Sequence, residues 1–298
     1  MANQIVLAKN YTNLLDEVFK LASVTADLSG DPAMTREGAN AREILYPEIE
    51  TDGLGDYSRT NGYQDGGVNV SWKSAEFNYD RGIKMQIDAM DDQETFNIAA
   101  GRAGATLQRT RVAPEADAFT FATLSGLEGV TVADAADISS AADFLAALRL
   151  AVDTLDDDEV PAEGRYLYAT PALLNSLEDL DSYKSKAVLD NFSVVKKVPK
   201  TRFMTAIDLL GGNGTEDKAG HYKPAEGAKF LNFMVIYKPA LIKYDKHVAG
   251  KLISPDDNQQ ADAFLLKYRK YGIVDAYFNQ RAGIYVASSN TAATTGSN

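Results

Sequence analysis

The chain has 298 residues, no cysteine, two histidines and a formal charge of −12. That length suggests about two domains and can bury a large core without disulfides or metal. The missing cysteines exclude thiolate metal sites, disulfide scaffolds and cysteine nucleophiles, and the acidic balance argues against tight, sequence-blind nucleic-acid binding.

The first 40 residues read as a polar lead. Leu14, Leu15, Val18, Phe19 and Ala22 recur at helical spacing, a short amphipathic stretch that needs a partner surface. No basic-then-apolar leader and no apolar run long enough to span a bilayer is present in the sequence, so it reads as cytosolic at synthesis. Residues 28–41 carry Gly, Ala and Pro and read as an irregular arm.

Residues 42–88 look like two extended segments around a glycine-rich middle. Phe77, Tyr79, Arg81, Ile83, Met85 and Ile87 alternate with polar residues or glycine, the period of a strand with one wet face. Val68, Val70 and Trp72 alternate in the opposite phase, which predicts a bulge or bend at Lys73-Ser74-Ala75. Pro47 favours an edge position for the first segment. An extended arm of about 20 residues spans roughly 60 Å, whereas a compact globule of this chain measures about 50 Å across. An isolated two-stranded hairpin is marginal in water. The arm is therefore expected either to fold back into a sheet or to lie on another molecule. Asp80 and Arg81 fall on opposite faces of the strand, so each needs its own partner, and an intersubunit ion pair is an expectation for either.

Residues 91–125 read as a long helix, with Asp91 and Glu94 as a capping box and a stripe of Phe96, Ala100, Ala103 and Leu107. Pro114 is expected to end or kink it. Residues 126–250 suggest an α/β unit: a helix capped by Ser140, a strand at 166–169, a helix started by Thr170-Pro171, a glycine-rich surface loop at 211–220 and a buried strand at 230–237. Strands return at 262–286.

No catalytic, metal or cofactor constellation rises above background. The GGNG at 211–214 lacks the Lys and Ser/Thr of a phosphate loop, and the acidic run 156–159 lacks the spacing of a calcium loop. Lys196, Lys197 and Lys200 form a small basic patch that suits a partner's rim or an ordinary surface equally.

The stretches NYDRGIKMQIDAMDDQET (78–95) and PEADAFTFATL (114–124) are where the chain resembles the major capsid protein of tailed bacteriophages, a fold shared with encapsulins. GLGDYSRTNGY (53–63), LLNSLEDLD (173–181) and the closing stretch 254–286 add to the resemblance, which extends from about residue 5 to 287. It implies an α+β chain: an N-terminal arm (1–41), an extended β-hairpin E-loop (42–88), a peripheral domain with a long spine helix (89–127), an α/β axial domain (128–247), peripheral return strands (248–290) and a disordered tail (291–298). The implied function is structural, not enzymatic: self-assembly into hexamers and pentamers of an icosahedral head around double-stranded DNA. That places the chain in the virion, and in host cytoplasm during assembly. A separate scaffolding protein, a portal and a decoration protein are further implied partners, with no membrane.

Aromatic and Arg residues dominate binding hot spots. The expected E-loop contacts are Tyr57, Arg59, Tyr63, Trp72, Asp80 and Arg81, and the expected N-arm contacts are Leu15 and Phe19. The competing reading for Trp72 is burial against its own domain. Two alternatives stay open: an encapsulin-type shell, and, from a different class, a small-molecule enzyme built on the 128–247 unit, which predicts a convergent polar pocket there. A phage tail or decoration protein is a weaker third.

Overall fold

The computed structural model describes residues 23–30, 36–37, 42–60, 62–90, 98–133, 136–180, 183–212 and 220–293. Leu15, Phe19 and the capping box at 91–94 lie outside the described residues.

The chain is α+β. After a 3-10 turn at Ala26–Leu28, strand β1 (Arg36–Glu37) pairs with β2 (Glu43–Thr51), which pairs antiparallel with β3 (Val68–Glu76). The chain breaks at Phe77-Asn78 and continues as β4 (Tyr79–Asp88). The phase switch read at 73–75 is thus a full strand break slightly further on. Asn78 explains it: its amide donates to the Val274 carbonyl at 2.8 Å and accepts from the Val274 N–H at 3.1 Å, standing in for a strand residue. Phe77 turns aside to stack on Tyr271, with ring centroids 4.7 Å apart.

The break halves the arm. Its second half, β4, folds back into a three-stranded sheet of order β11-β12-β4 with β11 (Leu241–Ile253) and β12 (Ala263–Ala276). Only β2 and β3, nine residues each, form the hairpin. Its strands reach about 30 Å at roughly 3.3 Å per residue.

A continuous helical rod follows. Helix α1 (Ile98–Leu107) passes through a π-helical segment (Gln108–Val112) into α2 (Ala113–Ser125). Pro114 does not end the rod; it stands in the first turn of α2, directly after the π-helical segment. The widened segment ahead of it absorbs the missing N–H and the ring's clash with the preceding turn.

The remaining elements build the second unit: β5 (Thr131–Ala133), α3 (Ala141–Asp157), β6 (Arg165–Ala169), α4 (Pro171–Asp179), α5 (Tyr183–Leu189), β7 (Val194–Lys197), the small hairpin β8 (Ile207–Leu209) and β9 (Tyr222–Pro224), and β10 (Lys229–Tyr237). Ser140 caps α3, accepting from the Asp143 N–H at 3.1 Å. The five-stranded sheet has the order β5-β13-β10-β6-β7, so the last strand, β13 (Ile284–Ala292), sits inside it. Two expected boundaries shift. Residue 247 falls within β11, and β13 leaves the return strands to pair with β10 and β5 as far as Ala292. Both follow from pairing between distant segments, which periodicity along the chain cannot show.

One face of this sheet packs on α3, with Phe144, Leu148 and Leu155 fully buried among Leu167, Phe233 and Tyr285. The other packs on α2 through Phe121, Leu124, Tyr168, Met234 and Ile284, joined by Leu28 of the N-terminal segment. Helix α2 thus shares a core with the five-stranded sheet, while the hairpin base forms a smaller cluster of its own.

Candidate assembly surface

Hairpin β2–β3 has two faces. Ile44, Tyr46 and Ala75 share one face at its base and are buried against Ile242 and Ile273 of the peripheral sheet. Tyr46 meets Tyr277 edge-on at 5.1 Å. This cluster pins the base. Further out, the same face turns polar with Glu48, Glu50, Asn69 and Ser71. The opposite face is apolar where it leaves the body. Pro47 lies across from Trp72 and Ile49 from Val70, with Val68 beyond. Ile49 is 63% exposed, Val68 68%, Val70 52% and Trp72 49%. A two-stranded ribbon with one apolar face uncovered lacks the second layer that a sheet needs.

The tip is built for shape as well as contact. Asp52 accepts from the Gly67 N–H at 2.7 Å and closes the neck. Ser58 and Gly62 bridge a tight turn, in which Gly62 takes φ +79°, a conformation open to glycine at little cost. The turn brings the Tyr57 and Tyr63 rings to 5.0 Å. Both are exposed, as are Arg59 between them and Leu54 before them. The structure therefore places Tyr57, Arg59 and Tyr63 together at the tip and Trp72 on the apolar strand face. Sequence reading missed Ile49, Leu54, Val68 and Val70 as contact candidates. The alternation of Val68, Val70 and Trp72 carried the signal, but only the β2–β3 register shows that Ile49 and Pro47 complete the same face.

Asp80 and Arg81 need a different account. They do point to opposite faces, yet each finds its partner within the chain. Asp80 accepts two bonds from the Arg269 guanidinium, at 2.9 and 2.7 Å. That pairing holds the Asp80 carboxyl below the usual carboxylate range. Arg81 binds Glu115 through Nε at 2.7 Å and Nη2 at 3.3 Å. Its Nη2 also donates to the carbonyls of Leu210 and His221, at 2.9 and 3.3 Å. Neither charge is left in need of a neighbouring subunit, because β12 and α2 already supply the opposite charges.

Lys196 and Lys197 of the basic patch are likewise engaged within the chain. Lys196 pairs with Asp27 and donates to the Val24 carbonyl at 3.1 Å. Lys197 pairs with Glu178 at 2.9 Å.

The PEADAF stretch now has a physical reading. Glu115 and Asp117 are buried acids two residues apart on α2. Glu115 holds β4 through Arg81 and accepts from the Tyr79 hydroxyl at 3.3 Å. Burial alone would raise its pKa, but the His221 imidazole and the Arg81 guanidinium outweigh that and hold it below the usual value. With His221 Nδ1 at 3.7 Å, the shorter Arg81 contacts dominate. Asp117 holds the N-terminal segment. It accepts from Ser23 Oγ (2.6 Å), Val24 N (3.0 Å), Thr25 N (3.1 Å), Thr25 Oγ1 (2.7 Å) and Arg202 Nη1 (3.0 Å). From the other side the buried Lys243 donates to Thr25 O at 2.7 Å and Oγ1 at 2.6 Å. Desolvation, with Lys270 nearby, lowers the Lys243 pKa to about 7. The helix is therefore a hub: two carboxylates fasten residues 23–25 and strand β4 to one rod.

Neither protein-family models nor curated proteins yield a match to the sequence. Solved structures do match it over nearly its full length. A protein of Mycobacterium phage Che8 aligns at 14% identity with a TM-score of 0.59, over 89% of this chain and 90% of that one. The capsid of cyanophage P-SCSP1u aligns at 13% identity and 0.55, over 87% and 86%. The virus-like particle from Pyrococcus furiosus aligns at 9% identity and 0.58, over 94% and 99%. The chain thus has the tailed-phage capsid fold, with a mixed α+β architecture.

Proposed function

We propose that this chain is the structural subunit of a tailed-phage head. It assembles into hexamers and pentamers that close an icosahedral shell around double-stranded DNA. The observation that carries this reading is the hairpin: its base is pinned and its apolar outer face stays uncovered on its own body. Covering that face on a neighbour stabilises the contact by roughly 1–2 kcal/mol for each large side chain. A hairpin on one side of the molecule seated on a different surface of the next copy makes a heterologous contact, the kind that closes into rings. Tyr57, Arg59, Tyr63 and Trp72 serve as contact residues there, and Leu15 and Phe19 serve the same end in the N-terminal arm. Segments 1–41, 42–88, 89–127 and 128–247 act as arm, E-loop, spine and axial units, with the boundary shifts given above. The excess of acidic residues keeps the shell from gripping packaged phosphates. Scaffolding, portal and decoration proteins act as separate partners in the host cytoplasm, and the finished shell belongs to the virion.

The likeness to a virus-like particle favours a second reading, a shell that encloses protein cargo. Electron microscopy of the expressed protein, alone and with its neighbouring genes, tests both. Shells of tens of nanometres are expected, and their content separates the two: nucleic acid supports the head, a co-purifying protein supports the cargo shell. A lone subunit under every condition supports neither and favours the enzyme alternative.

A further inference from the structure

The outer face of the peripheral sheet carries a row of like charges. On β4, β12 and β11, Met85, Leu266 and Leu252 turn inward and pack with Leu107 of the rod. Side chains alternate along a strand, so their neighbours Lys84, Lys267 and Lys251 face away from the rod. The register sets Lys84 opposite Lys267 and Lys267 opposite Lys251. Three ammonium groups thus stand on adjacent strands, within about 10 Å at the usual strand spacing. All three are exposed, and none has an ion-pair partner among the described residues. On this face of β4 the acids four residues away on either side are engaged elsewhere. Asp80 accepts from Arg269 at 2.9 and 2.7 Å, and Asp88 accepts from the Met90 N–H at 2.9 Å. Like charges directly opposite each other destabilise a sheet, so the row weakens the lone subunit.

The opposite charge is concentrated at the end of α3. Residues 156–159 are Asp-Asp-Asp-Glu, a formal charge of −4 (four acids, no base). The last turn of α3 holds no basic residue. Acids are unfavourable at that end, where the helix dipole is itself negative. Arg165 binds Asp156 at 2.7 Å. Asp157, Asp158 and Glu159 are exposed and have no cation among the described residues. Within one subunit the two clusters belong to separate layers. Helix α3 covers the face of the five-stranded sheet away from α2, and the lysines stand on the face of the peripheral sheet away from the rod.

We infer that the lysine row is the docking site for the acidic end of α3 from a second copy, three ammonium groups meeting three carboxylates. This rests on the shell reading and adds a contact made without the hairpin. Three consecutive residues fit within the length of the row. The hairpin acids are the weaker occupant: Asp52, Asp56 and Asp65 are dispersed over its tip, and Asp52 is engaged by the Gly67 N–H at 2.7 Å. The two clusters lie on different surfaces, so the contact is heterologous and passes from copy to copy around a ring. Two charge placements that each weaken the lone subunit become favourable when they meet.

The test reverses charge and reads particle yield. Lys251→Glu/Lys267→Glu and Asp157→Lys/Asp158→Lys are each expected to lower the fraction of protein in particles by about tenfold or more, since like charges then face each other. The four changes combined in one chain are expected to restore yield to within about threefold of wild type. In the isolated subunit Lys267→Gln is expected to raise the thermal midpoint by about 1–2 °C, because it relieves the row, while it lowers particle yield. Far-ultraviolet circular dichroism confirms that each variant folds. In wild-type particles, a carbodiimide that joins amines to carboxylates is expected to link Lys84, Lys251 or Lys267 to Asp157, Asp158 or Glu159, a link absent from isolated subunits. Undiminished yield in both reversed pairs, no rescue in the combination, the same link in isolated subunits, or these lysines joined instead to Asp52, Asp56 or Asp65 would overturn the inference and leave the shell reading intact. Failure of the wild type to form particles at all would remove both.

Discussion

At the scale of single residues, two buried carboxylates and a buried lysine do different work from the exposed charges around them. Glu115 is 7% exposed and its cation is Arg81, so Arg81→Met leaves an acid stranded in the interior. That substitution is expected to cost about 2–4 kcal/mol in urea unfolding, allowing for the partial exposure of Arg81. Arg269→Met, which opens the solvent-facing pair with Asp80, is expected to leave the urea midpoint unmoved. Equal losses from both would contradict this ranking. Lys243 supplies a pH signature. Its folded pKa of about 7 lies below the ordinary lysine value, so between those two values the unfolded chain holds the extra proton. Stability therefore rises with pH above about 7, and the full cost of burying the charge is present below it. The groups around it are Lys270, Asp117, Asp245 and Lys196. Relative to Lys243→Met, wild-type stability is expected to climb by on the order of a few kcal/mol from about pH 7 to pH 9. Parallel curves would remove Lys243 as the titrating group. Little of this was readable beforehand. The PEADAF stretch could be matched as a pattern, but what Glu115 and Asp117 hold comes from positions 34 and 92 residues away along the chain.

At the scale of elements, the rod α1–α2 organises everything that touches it. Asp117 gathers residues 23–25, so Asp117→Asn is expected to cost about 2–4 kcal/mol. It should also speed amide exchange at Val24 and Thr25 more than at β10. Unchanged protection there would show that Lys243 and Lys196 suffice to hold the segment. The strand periodicity of 79–87 and of 68–72 was legible in the sequence, because alternation is local. The partner of β4 was not: β12 begins at residue 263, and nothing within β4 names it. The arm accordingly looked twice its true length, since an unbroken run of alternating residues does not reveal that Asn78 borrows the main-chain bonds of Val274. The π-helical segment before Pro114 was invisible for a similar reason. Proline announces a disturbance in a helix, while packing on both sides of the rod decides whether the helix stops or widens.

At the scale of the whole molecule, the described residues leave an apolar face exposed along the hairpin. The two faces of the five-stranded sheet are filled by α2 and α3, and the peripheral sheet holds the hairpin base. Ile49→Ser/Val70→Ser changes residues that are already wet, so the isolated subunit is expected to keep its stability within about 0.5 kcal/mol. The proposed assembly uses those same residues, so the pair separates folding from association. Electron microscopy of wild type and this variant, expressed side by side with the neighbouring genes, tests the central claim most directly. The account predicts closed shells from the wild type and folded, unassembled subunits from the variant. Shells of equal yield from both, or a wild type that never assembles, would contradict it.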